Sequence, residues 1–313
     1  MGITEYPGNK QFAFTILDDT DDATVENVKP LYDVLFNLGM RTTKTVWPMD
    51  CPEGSRLYFA GKTLQDKAYL GFVRELVQNG FELASHGATM ESSTRERTSE
   101  GLSFIDQNFD THFRLHCNHG ENLENIYWGL DRYQSLPIRM TLRLVNRVLG
   151  LRKYYGQDNS SKYFWGDFCK ERFKYVRNFT YHELDISRIS PGRPYRVRST
   201  PYVNYWFATA DAPDVRAFNN LVTKDAVDRM IANRGFSIIS THLGKGFVRK
   251  GEVNREVKEI LTYLSEQQGW FVPVSELLDF LMRERTGDGI SPLSLMNIEA
   301  KHIMDRLVDR IQR

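Results

Sequence analysis

Strand-like and helix-like segments alternate along most of this chain of 313 residues. The apolar run "QFAFTILDD" is followed by "ATVENVKPLYDVLFNLG", whose apolar residues recur at helical spacing and which ends at Gly39. The same order returns in "MRTTKTVWP" and "TLQDKAYLGFVRELVQNG". Regular alternation predicts an α/β fold in which helices connect the strands of a parallel sheet, either open or closed into a barrel.

Further strands are predicted at "FELASHGAT", "THFRLHCNHG" and "FSIISTHLGKG". The region 121–235 is less regular and rich in aromatic residues, so we interpret it as an insertion in a domain that spans residues 1–283. The remaining residues, 284–313, are predicted to form a helical extension. Its apolar residues fall on one stripe of a helix: Ile303, Met304, Leu307 and Ile311.

The composition limits the possible partners and compartments. The chain is 41% hydrophobic and 26% charged with a net charge of +1, so no strong field would attract nucleic acid. Three cysteines without a CxxC pair argue against a disulfide framework or a cysteine zinc cluster and favour a reducing compartment. No signal-like segment and no run of about 18 apolar residues occurs, so we expect a cytoplasmic protein. No motif indicates an oligomeric state.

Polar side chains stand at the ends of four predicted strands. In a parallel α/β fold the carboxyl ends of the strands meet at one edge, so we expect these side chains to lie together. They are Asp18 and Asp19 on the first strand, His86 on the third, Arg114, His116, Asn118 and His119 on the fourth, and His242 on the last. We interpret Asp21 and Asp22 as the start of the next helix, because aspartate favours helix N-termini.

This combination of residues predicts a hydrolase. A carboxylate with imidazoles suits a borderline divalent ion such as zinc. A second carboxylate beside the ion can act as general base on its bound water, and an imidazole opposite can protonate the leaving group. We therefore predict one divalent metal ion, with zinc preferred, and cleavage of an amide or an ester.

These strand ends resemble the motifs of the polysaccharide deacetylase family, which includes the chitin and peptidoglycan N-deacetylases. The segment from Thr15 to Asp19 is similar to the family's T-F-D-D motif, and His86 matches the first position of its H-x-x-x-H motif. Arg114 matches an arginine on the fourth strand, and His242 matches a histidine on the final strand. The stretch "WFVPVSELLDFL" resembles the usual ending of the family. The resemblance implies a divergent member with an irregular (β/α) barrel, often of seven strands.

The resemblance also implies roles for these residues. Asp18 would be the general base, Asp19 and His86 would be metal ligands, and Arg114 and His242 would be catalytic. The chain departs from the family at Met90, where the motif has its second histidine, and a thioether is a poor ligand for such an ion. His116 or His119 would then supply the third ligand. Because alternate residues of a strand share a face, His116 points with Arg114, and we favour His116.

Three further residues are candidates for substrate binding. Asn118 shares the predicted face of His116 on the fourth strand. Trp165 and Asp167, in "YFWGDF", are candidates for the family's aspartate-tryptophan motif. An aromatic core residue followed by a helix-starting aspartate explains the same two residues equally well.

Together these features predict a metal-dependent hydrolase that removes the acetyl group from an acetamido sugar or a glycan precursor. Two alternatives stay open. One is an amidohydrolase that acts on a small non-sugar amide. The other is a metal-free relative that only binds carbohydrate, as the loss of histidine at position 90 allows.

One segment of the middle region suggests a further partner. "LPIRMTLRLVNRVLG" places Arg139, Arg143 and Arg147 on one helical face beside apolar residues. A basic amphipathic helix can lie on an anionic membrane, and the alternative is a solvated surface helix. The predicted partners are therefore a small-molecule or glycan substrate, no nucleic acid, and a peripheral contact with a membrane.

Overall fold

Seven parallel strands form a closed barrel in the computed structural model of this protein. The structure describes residues 5–55, 61–189, 193–283 and 289–312. In chain order the barrel strands are β1 (Phe12–Asp18), β2 (Thr43–Val46), β3 (Glu82–Ser85), β4 (Leu115–His116), β5 (Tyr175–Tyr181), β6 (Tyr205–Asp211) and β7 (Phe236–Thr241). Each strand pairs with the next, and β1 also pairs with β7, which closes the barrel. The predicted α/β barrel of seven parallel strands is thus confirmed.

The barrel is irregular, also as predicted. β4 contains only two residues, and the pairing of β5 with β6 shifts register between Arg177 and Thr180. Three short strands follow the barrel: β8 (Val248–Arg249) and β9 (Glu252–Val253) form a hairpin, and β10 (Gly269–Trp270) extends the sheet beside β1.

The helices lie mainly between the strands in the chain. They are α1 (Val25–Asn37), α2 (Lys67–Gln78), α3 (Arg95–Asn108), α4 (Leu136–Leu149), α5 (Gly166–Arg172), α6 (Val215–Leu221), α7 (Lys224–Ala232), α8 (Arg255–Ser265), α9 (Val274–Arg283) and α10 (Pro292–Gln312).

The start of α1 shows how the sequence sets a helix boundary. The Thr24 side chain accepts a hydrogen bond from the Asn27 backbone N–H, and the Asn27 side chain accepts one from the Thr24 N–H. This reciprocal cap satisfies two N–H groups that would otherwise lack partners. The residues of α1 that are buried in the core are Val28, Leu31, Tyr32 and Leu35. Because Thr24 is the cap, Asp21 and Asp22 belong to the preceding loop, at the carboxyl end of β1.

The region 121–235 contributes to the barrel itself. Both β5 and β6 lie within it, so the chain forms two barrel strands there as well as the connections between them. Arg177 and Asn178 interrupt the apolar sequence of β5, so the sequence pattern of this strand is weak. The division of the chain into domains stays a prediction.

The predicted C-terminal helix is present as α10, and positions 284–288 of the predicted extension lie outside the described residues. Tyr181, the last residue of β5, donates a hydrogen bond to the carbonyl of Ile298 at 2.9 Å. Glu299 accepts a hydrogen bond from the Ser135 N–H, directly before α4, at 3.1 Å. α10 therefore holds the start of α4 at the carboxyl end of the barrel. Among the described helices, none is both long and apolar enough to cross a bilayer.

Candidate functional site

Asp21, His86 and His119 form a cluster at the carboxyl end of the barrel. Asp21 Oδ1 lies 3.5 Å from His86 Nε2 and 3.4 Å from His119 Nε2. This oxygen is buried and has no hydrogen-bond partner. In the part of the chain that the structure describes, these three side chains form a group whose potential ligand atoms lie within 4.8 Å of one another. The loops after β1, β3 and β4 thus each supply one group.

The two imidazoles are oriented by their neighbours. His86 Nδ1 lies 3.0 Å from the Cys117 carbonyl oxygen, which can only accept, so Nδ1 carries the proton and Nε2 presents a lone pair to the cluster. The Trp47 ring packs near both imidazoles, at centroid distances of 5.7 Å to His86 and 5.0 Å to His119. Burial lowers the pKa of His119 to about 4, which leaves a neutral imidazole, the form that binds metals.

His242 approaches the same carboxylate from the end of β7. Its Nδ1 lies 2.6 Å from the Pro213 carbonyl oxygen, and its Nε2 lies 3.1 Å from Asp21 Oδ2. Burial raises the pKa of Asp21, but interactions with His242 and His86 lower it more and hold it below its ordinary value. Burial lowers the pKa of His242, but Asp21 more than offsets this and raises it. This contact therefore favours the carboxylate form of Asp21 and the imidazolium form of His242.

The loop after β7 comes close to the loop after β1. A Cβ atom at Gly244 would lie 2.6 Å from the carbonyl carbon of Asp22, so this approach requires glycine. The next residue, Lys245, places its ammonium group 3.4 Å from Asp21 Oδ2. One side of the Asp21 carboxylate thus faces two cationic groups, and the other faces the two imidazoles of the cluster.

Asp19 is more buried than Asp21. One of its carboxylate oxygens accepts hydrogen bonds, and the other has no partner. Its Oδ2 accepts hydrogen bonds from Arg177 at 2.6 Å and from the Ser240 hydroxyl at 3.3 Å. Its Oδ1 is buried without a partner, 3.9 Å from His86 Nδ1. Burial raises the pKa of Asp19, but the charges of Arg177 and the nearby histidines outweigh burial and lower it. Asp19 is therefore an ionised carboxylate with a free oxygen beside the cluster.

Asp18 is not available as the general base that the resemblance implied. Its Oδ2 accepts hydrogen bonds from Tyr32 at 2.9 Å and from Lys44 at 2.7 Å. Its Oδ1 accepts one from the Leu243 N–H at 2.9 Å, and the side chain is fully buried. Both oxygens already accept hydrogen bonds, so this assignment is corrected. Asp19, predicted as a metal ligand, is the neighbouring carboxylate that keeps an oxygen without a partner.

Arg114 does not reach the cluster either. It precedes β4, is 40% exposed, and pairs with Asp279 on α9 at 2.7 Å. The start of α9 is hydrogen-bonded to the first residues of β2 and β3, which places Arg114 at the amino end of the barrel, opposite the cluster. The predicted catalytic role of Arg114 is wrong, and the guanidinium beside the cluster belongs to Arg177.

His116 and Asn118 lie behind β4, away from the cluster. The His116 ring nitrogens lie 3.2 Å from the Ser85 hydroxyl and 3.3 Å from Asn118 Oδ1. Its ring packs against Trp165 at a centroid distance of 4.8 Å. Asn118 also exchanges two hydrogen bonds with the backbone of Ile126, at 2.9 and 3.0 Å. Both side chains hold the loop after β4 in place, which contradicts the predicted metal and substrate roles.

The choice of His116 over His119 failed for a geometric reason. The sequence prediction takes Arg114 to face the site and therefore selects His116, which lies on the same face of the strand. A shift of one residue moves every side chain to the opposite face of a strand. Cys117 faces the barrel interior: burial raises the pKa of its thiol to about 12, and the charges of Arg177 and Asp19 both act on it. His119, two residues further along, belongs to the cluster as predicted.

The remaining predicted residues lie outside the cluster. Trp165 is buried, and its Nε1 donates a hydrogen bond to the Glu124 carbonyl at 2.6 Å. Asp167 lies on the surface, paired with both terminal nitrogens of Arg95 at 2.7 and 2.6 Å. These two residues have the structural roles that the alternative interpretation gave them. Met90 is buried in a small apolar cluster with Trp47 and Cys51.

Sequence reasoning missed two residues of the site. Asp21 was assigned to a helix start, although a second pair of carboxylates so close to the first was a signal that more than a cap was involved. Arg177 lies in the otherwise apolar stretch "FKYVRNFTY". A charged residue within a buried strand needs a charged or hydrogen-bonding partner, and this requirement was the signal for Arg177.

The Asp21–His86–His119 cluster fits a divalent cation of borderline character. A buried carboxylate oxygen without a partner is costly, and here it faces two imidazole nitrogens. One carboxylate with two imidazoles is a donor set of catalytic zinc sites, which keep a further position for water or substrate. The side chains of His119 and Asp21 are 15% and 18% exposed, so solvent reaches one side of the cluster.

The sequence matches no protein-family model and no curated protein. Solved structures share its fold. A protein assigned as a polysaccharide deacetylase from Mycobacterium smegmatis is 10% identical with a TM-score of 0.52, covering 93% of this chain and 97% of that chain. A protein with the same assignment from Pseudomonas aeruginosa PAO1 is 13% identical with a TM-score of 0.52, covering 90% and 94%. Puue allantoinase is 13% identical with a TM-score of 0.51, covering 88% and 91%. The chain therefore has the fold of the polysaccharide deacetylases, as predicted.

Proposed function

We propose that this protein is a metal-dependent hydrolase of amide bonds that deacetylates an acetamido sugar or a glycan precursor containing one. One observation carries the proposal: the unpartnered Oδ1 of Asp21 lies between the imidazoles of His86 and His119. The free Oδ1 of Asp19 lies beside them. The choice of a sugar is supported by the fold, which two proteins assigned as polysaccharide deacetylases share.

Asp21, His86 and His119 would hold one divalent cation, and zinc suits a carboxylate with two imidazoles. When bound, the ion supplies Lewis acidity that polarises the acetyl carbonyl and makes water more acidic. The proposal does not need a histidine at position 90, because His119 supplies the second imidazole from the loop after β4.

Asp19 would be the general base. Arg177 and Ser240 engage one of its oxygens and fix the direction of the other. The positive charge of Arg177 favours the ionised carboxylate, which is the form that accepts a proton. Asp19 Oδ1 would take the proton from the water that attacks the acetyl carbon.

His242 would be the general acid. The Pro213 carbonyl accepts the proton on Nδ1, so Nε2 is the nitrogen that faces the site. As the water oxygen bonds to the acetyl carbon and the carbon–nitrogen bond breaks, Nε2 would give its proton to the departing nitrogen. The products are acetate and a free amino sugar.

A second candidate substrate is a small non-sugar amide. Puue allantoinase shares the fold at a TM-score of 0.51, so this barrel also occurs in a protein named for a non-sugar substrate. The same base, acid and cation would serve either substrate, so an activity assay is needed to distinguish the two candidate substrates.

The test is acetate release from N-acetylglucosamine and its oligomers, with N-acetylated amino acids and small cyclic amides assayed in parallel for hydrolysis. Protein freed of metal with a chelator should be inactive and should regain activity when zinc is added. Asp21→Asn should remove both zinc binding and activity. Asp22→Asn is the matched control, because Asp22 is the exposed neighbour and should leave both unchanged.

Two results would contradict the proposal. Hydrolysis of the non-sugar amides alone would assign the second candidate. Carbohydrate binding without zinc uptake and without hydrolysis would assign the metal-free binding role that the loss of histidine at position 90 had left open.

A further inference from the structure

Two helices that contact each other, α4 and α10, carry nearly all of the exposed large apolar side chains. In the described residues only Phe36 lies elsewhere. The others belong to two helices and the residue that follows one of them: Leu136, Met140, Leu144, Val145 and Leu151 in and after α4, and Leu293, Met304, Leu307 and Val308 on α10. We refer to these nine residues as the α4–α10 surface. Such concentration on two adjacent helices is typical of an interaction site.

The apolar side chains of α4 do not serve the core. Leu136, Met140 and Leu144 recur every four residues, on one side of the helix, and are 64%, 58% and 61% exposed. No described side chain of α4 is buried. A helix with a strongly apolar stripe normally buries that stripe against other apolar groups. The stripe of α4 is not buried in this way within the described residues.

The start of α4 and the start of α10 meet at an apolar groove. The groove is lined by Leu136, Pro137, Val197, Ile290, Leu293 and Leu295. Arg196 and Arg198 also line it. The first exposed apolar residue of each helix, Leu136 and Leu293, therefore borders a common apolar groove with cationic groups beside it.

The charge of α4 identifies the partner. Arg139, Arg143 and Arg147 recur at the same spacing as the apolar stripe, and α4 contains no acidic residue. We propose that the α4–α10 surface docks on an anionic lipid bilayer, with α4 lying in the headgroup layer. Its leucines and methionine enter the boundary of the acyl chains, and its arginines contact lipid phosphates.

A second copy of this chain is a less suitable partner. Contact through the same surface on both copies would bring the arginine rows of two α4 helices towards each other. Like charges facing each other across an interface cost free energy. An anionic bilayer instead offers apolar depth and negative charge together, which matches both parts of the surface.

α4 and the later part of α10 lie towards the end of the barrel that carries the cluster, whereas the groove extends towards the start of β6. α4 follows the loop that carries His119, and α10 is bonded to Tyr181 at the carboxyl end of β5. A bilayer against this surface would bring the open end of the barrel near the membrane plane. The inference rests on α4 and α10 alone and does not depend on the proposed function.

Vesicle flotation with the full chain tests the proposal. Protein should float with vesicles of phosphatidylcholine mixed with phosphatidylglycerol and should not float with phosphatidylcholine alone. Changing Arg139, Arg143 and Arg147 together to Gln should weaken binding by on the order of 10²-fold, at about 1 kcal/mol for each arginine near an anionic surface. Salt near about 1 M should also release the protein, because it shortens the Debye length to about 3 Å.

A matched control changes Arg229, Arg255 and Lys258 together to Gln, the same loss of charge from exposed positions on α7 and α8. It should bind as the unmodified chain does. Equal loss of binding in both variants would overturn the proposal, since net charge alone would then be responsible. Retained binding in the α4 variant, or no binding by the unmodified chain, would overturn it as well.

The apolar contribution is tested separately. Met140→Trp should show a blue shift of its emission on the mixed vesicles, and the absence of a shift would overturn the placement of α4. Changing Leu136, Met140 and Leu144 together to Ser should reduce flotation without lowering the unfolding midpoint, because these side chains are exposed. If sedimentation equilibrium shows a dimer that this variant dissociates, the surface is an interface between copies and the proposal is wrong.

Discussion

Asp18 and Lys44 form an ion pair between the barrel and helices α1 and α2, with Nζ 2.7 Å from Oδ2 and neither side chain exposed. The next residue, Asp19, has a different cation, Arg177, at 2.6 Å. Moving a charge out of water costs several kcal/mol, so each buried carboxylate needs its own partner. The two adjacent aspartates thus belong to two separate ion pairs, one beneath helices α1 and α2 and one beside the cluster.

Lys44→Met should lower the free energy of unfolding by about 3–5 kcal/mol, because it leaves Asp18 buried without its cation. Adding Asp18→Asn to this variant should recover part of the loss, since the amide oxygen can still accept from Tyr32 and carries no charge. Denaturant unfolding measures both. Lys29→Met, at an exposed ion pair, is the control and should change stability by less than about 0.5 kcal/mol. An Lys44→Met variant as stable as the control would refute this account of the pair.

The sequence was sufficient to predict the barrel because its strands and helices alternate with clear apolar periods. It was also sufficient to bring His86, His119 and His242 to one end, since that follows from strand order alone. The roles of the individual site residues depend on which face of a strand each side chain occupies and on the conformation of single turns. β4 has only two paired residues, too few for a period to reveal which of His116 and His119 faces the site. Asp18, Asp19 and Asp21 lie where a strand becomes a loop, and there the partner of each carboxylate is set by distant residues such as Lys44 and Arg177.

Asp21→Asn should weaken zinc binding by more than about 10²-fold, whereas Asp18→Asn should leave it unchanged. The reason is that Asp21 Oδ1 faces both imidazoles, while Asp18 has no free oxygen. Substitution of a residue that only hydrogen-bonds to a metal ligand already lowers metal affinity by about 10–100-fold. Substitution of a ligand itself should therefore lower it more. Calorimetric titration of metal-free protein measures this. Equal losses in the two variants would show that both aspartates bind the ion.

One experiment should distinguish His116 from His119, the two candidates for the third metal ligand. His119→Ala should lose zinc, because its Nε2 lies 3.4 Å from Asp21 Oδ1. His116→Ala should keep zinc and lose stability, because its ring packs on Trp165 and bonds to Ser85. Zinc stoichiometry and the unfolding midpoint are the two readouts. Loss of zinc in the His116 variant, with the midpoint unchanged, would restore the original assignment.

Stability should fall as the pH drops below about 6.5, in part because of His302. Burial, together with the charges of Arg132 and Arg306, lowers its pKa to about 2, so it stays neutral while folded and gains a proton on unfolding. Its contribution is therefore complete above pH 6.5 and is lost progressively towards pH 2. When the pH is lowered from about 7.5 to 5, the free energy of unfolding should fall by about 2 kcal/mol less in His302→Gln than in the unmodified chain.

The control for this pH effect is His112→Gln, which changes a side chain that is 82% exposed. Its stability should follow pH as that of the unmodified chain does. Because His302 also accepts a hydrogen bond from Tyr133, the glutamine variant should be less stable at high pH, and only the difference between the two pH values is diagnostic. Parallel curves for the two variants would show that another group causes the acid sensitivity.

Asp19→Asn should retain zinc and the fold but lower kcat by on the order of 10²-fold or more, the usual scale for a lost general base. The amide keeps the shape of the side chain and can still accept from Arg177, but it cannot take a proton from water. Ser240→Ala should have a much smaller effect, because Arg177 alone still fixes the Asp19 carboxylate. Asp22→Asn controls for the charge change near the site. If Asp19→Asn keeps full activity, the base lies elsewhere in the site. If it loses zinc as completely as Asp21→Asn, Asp19 is a ligand, and the division between an ion-binding aspartate and a proton-accepting one is wrong.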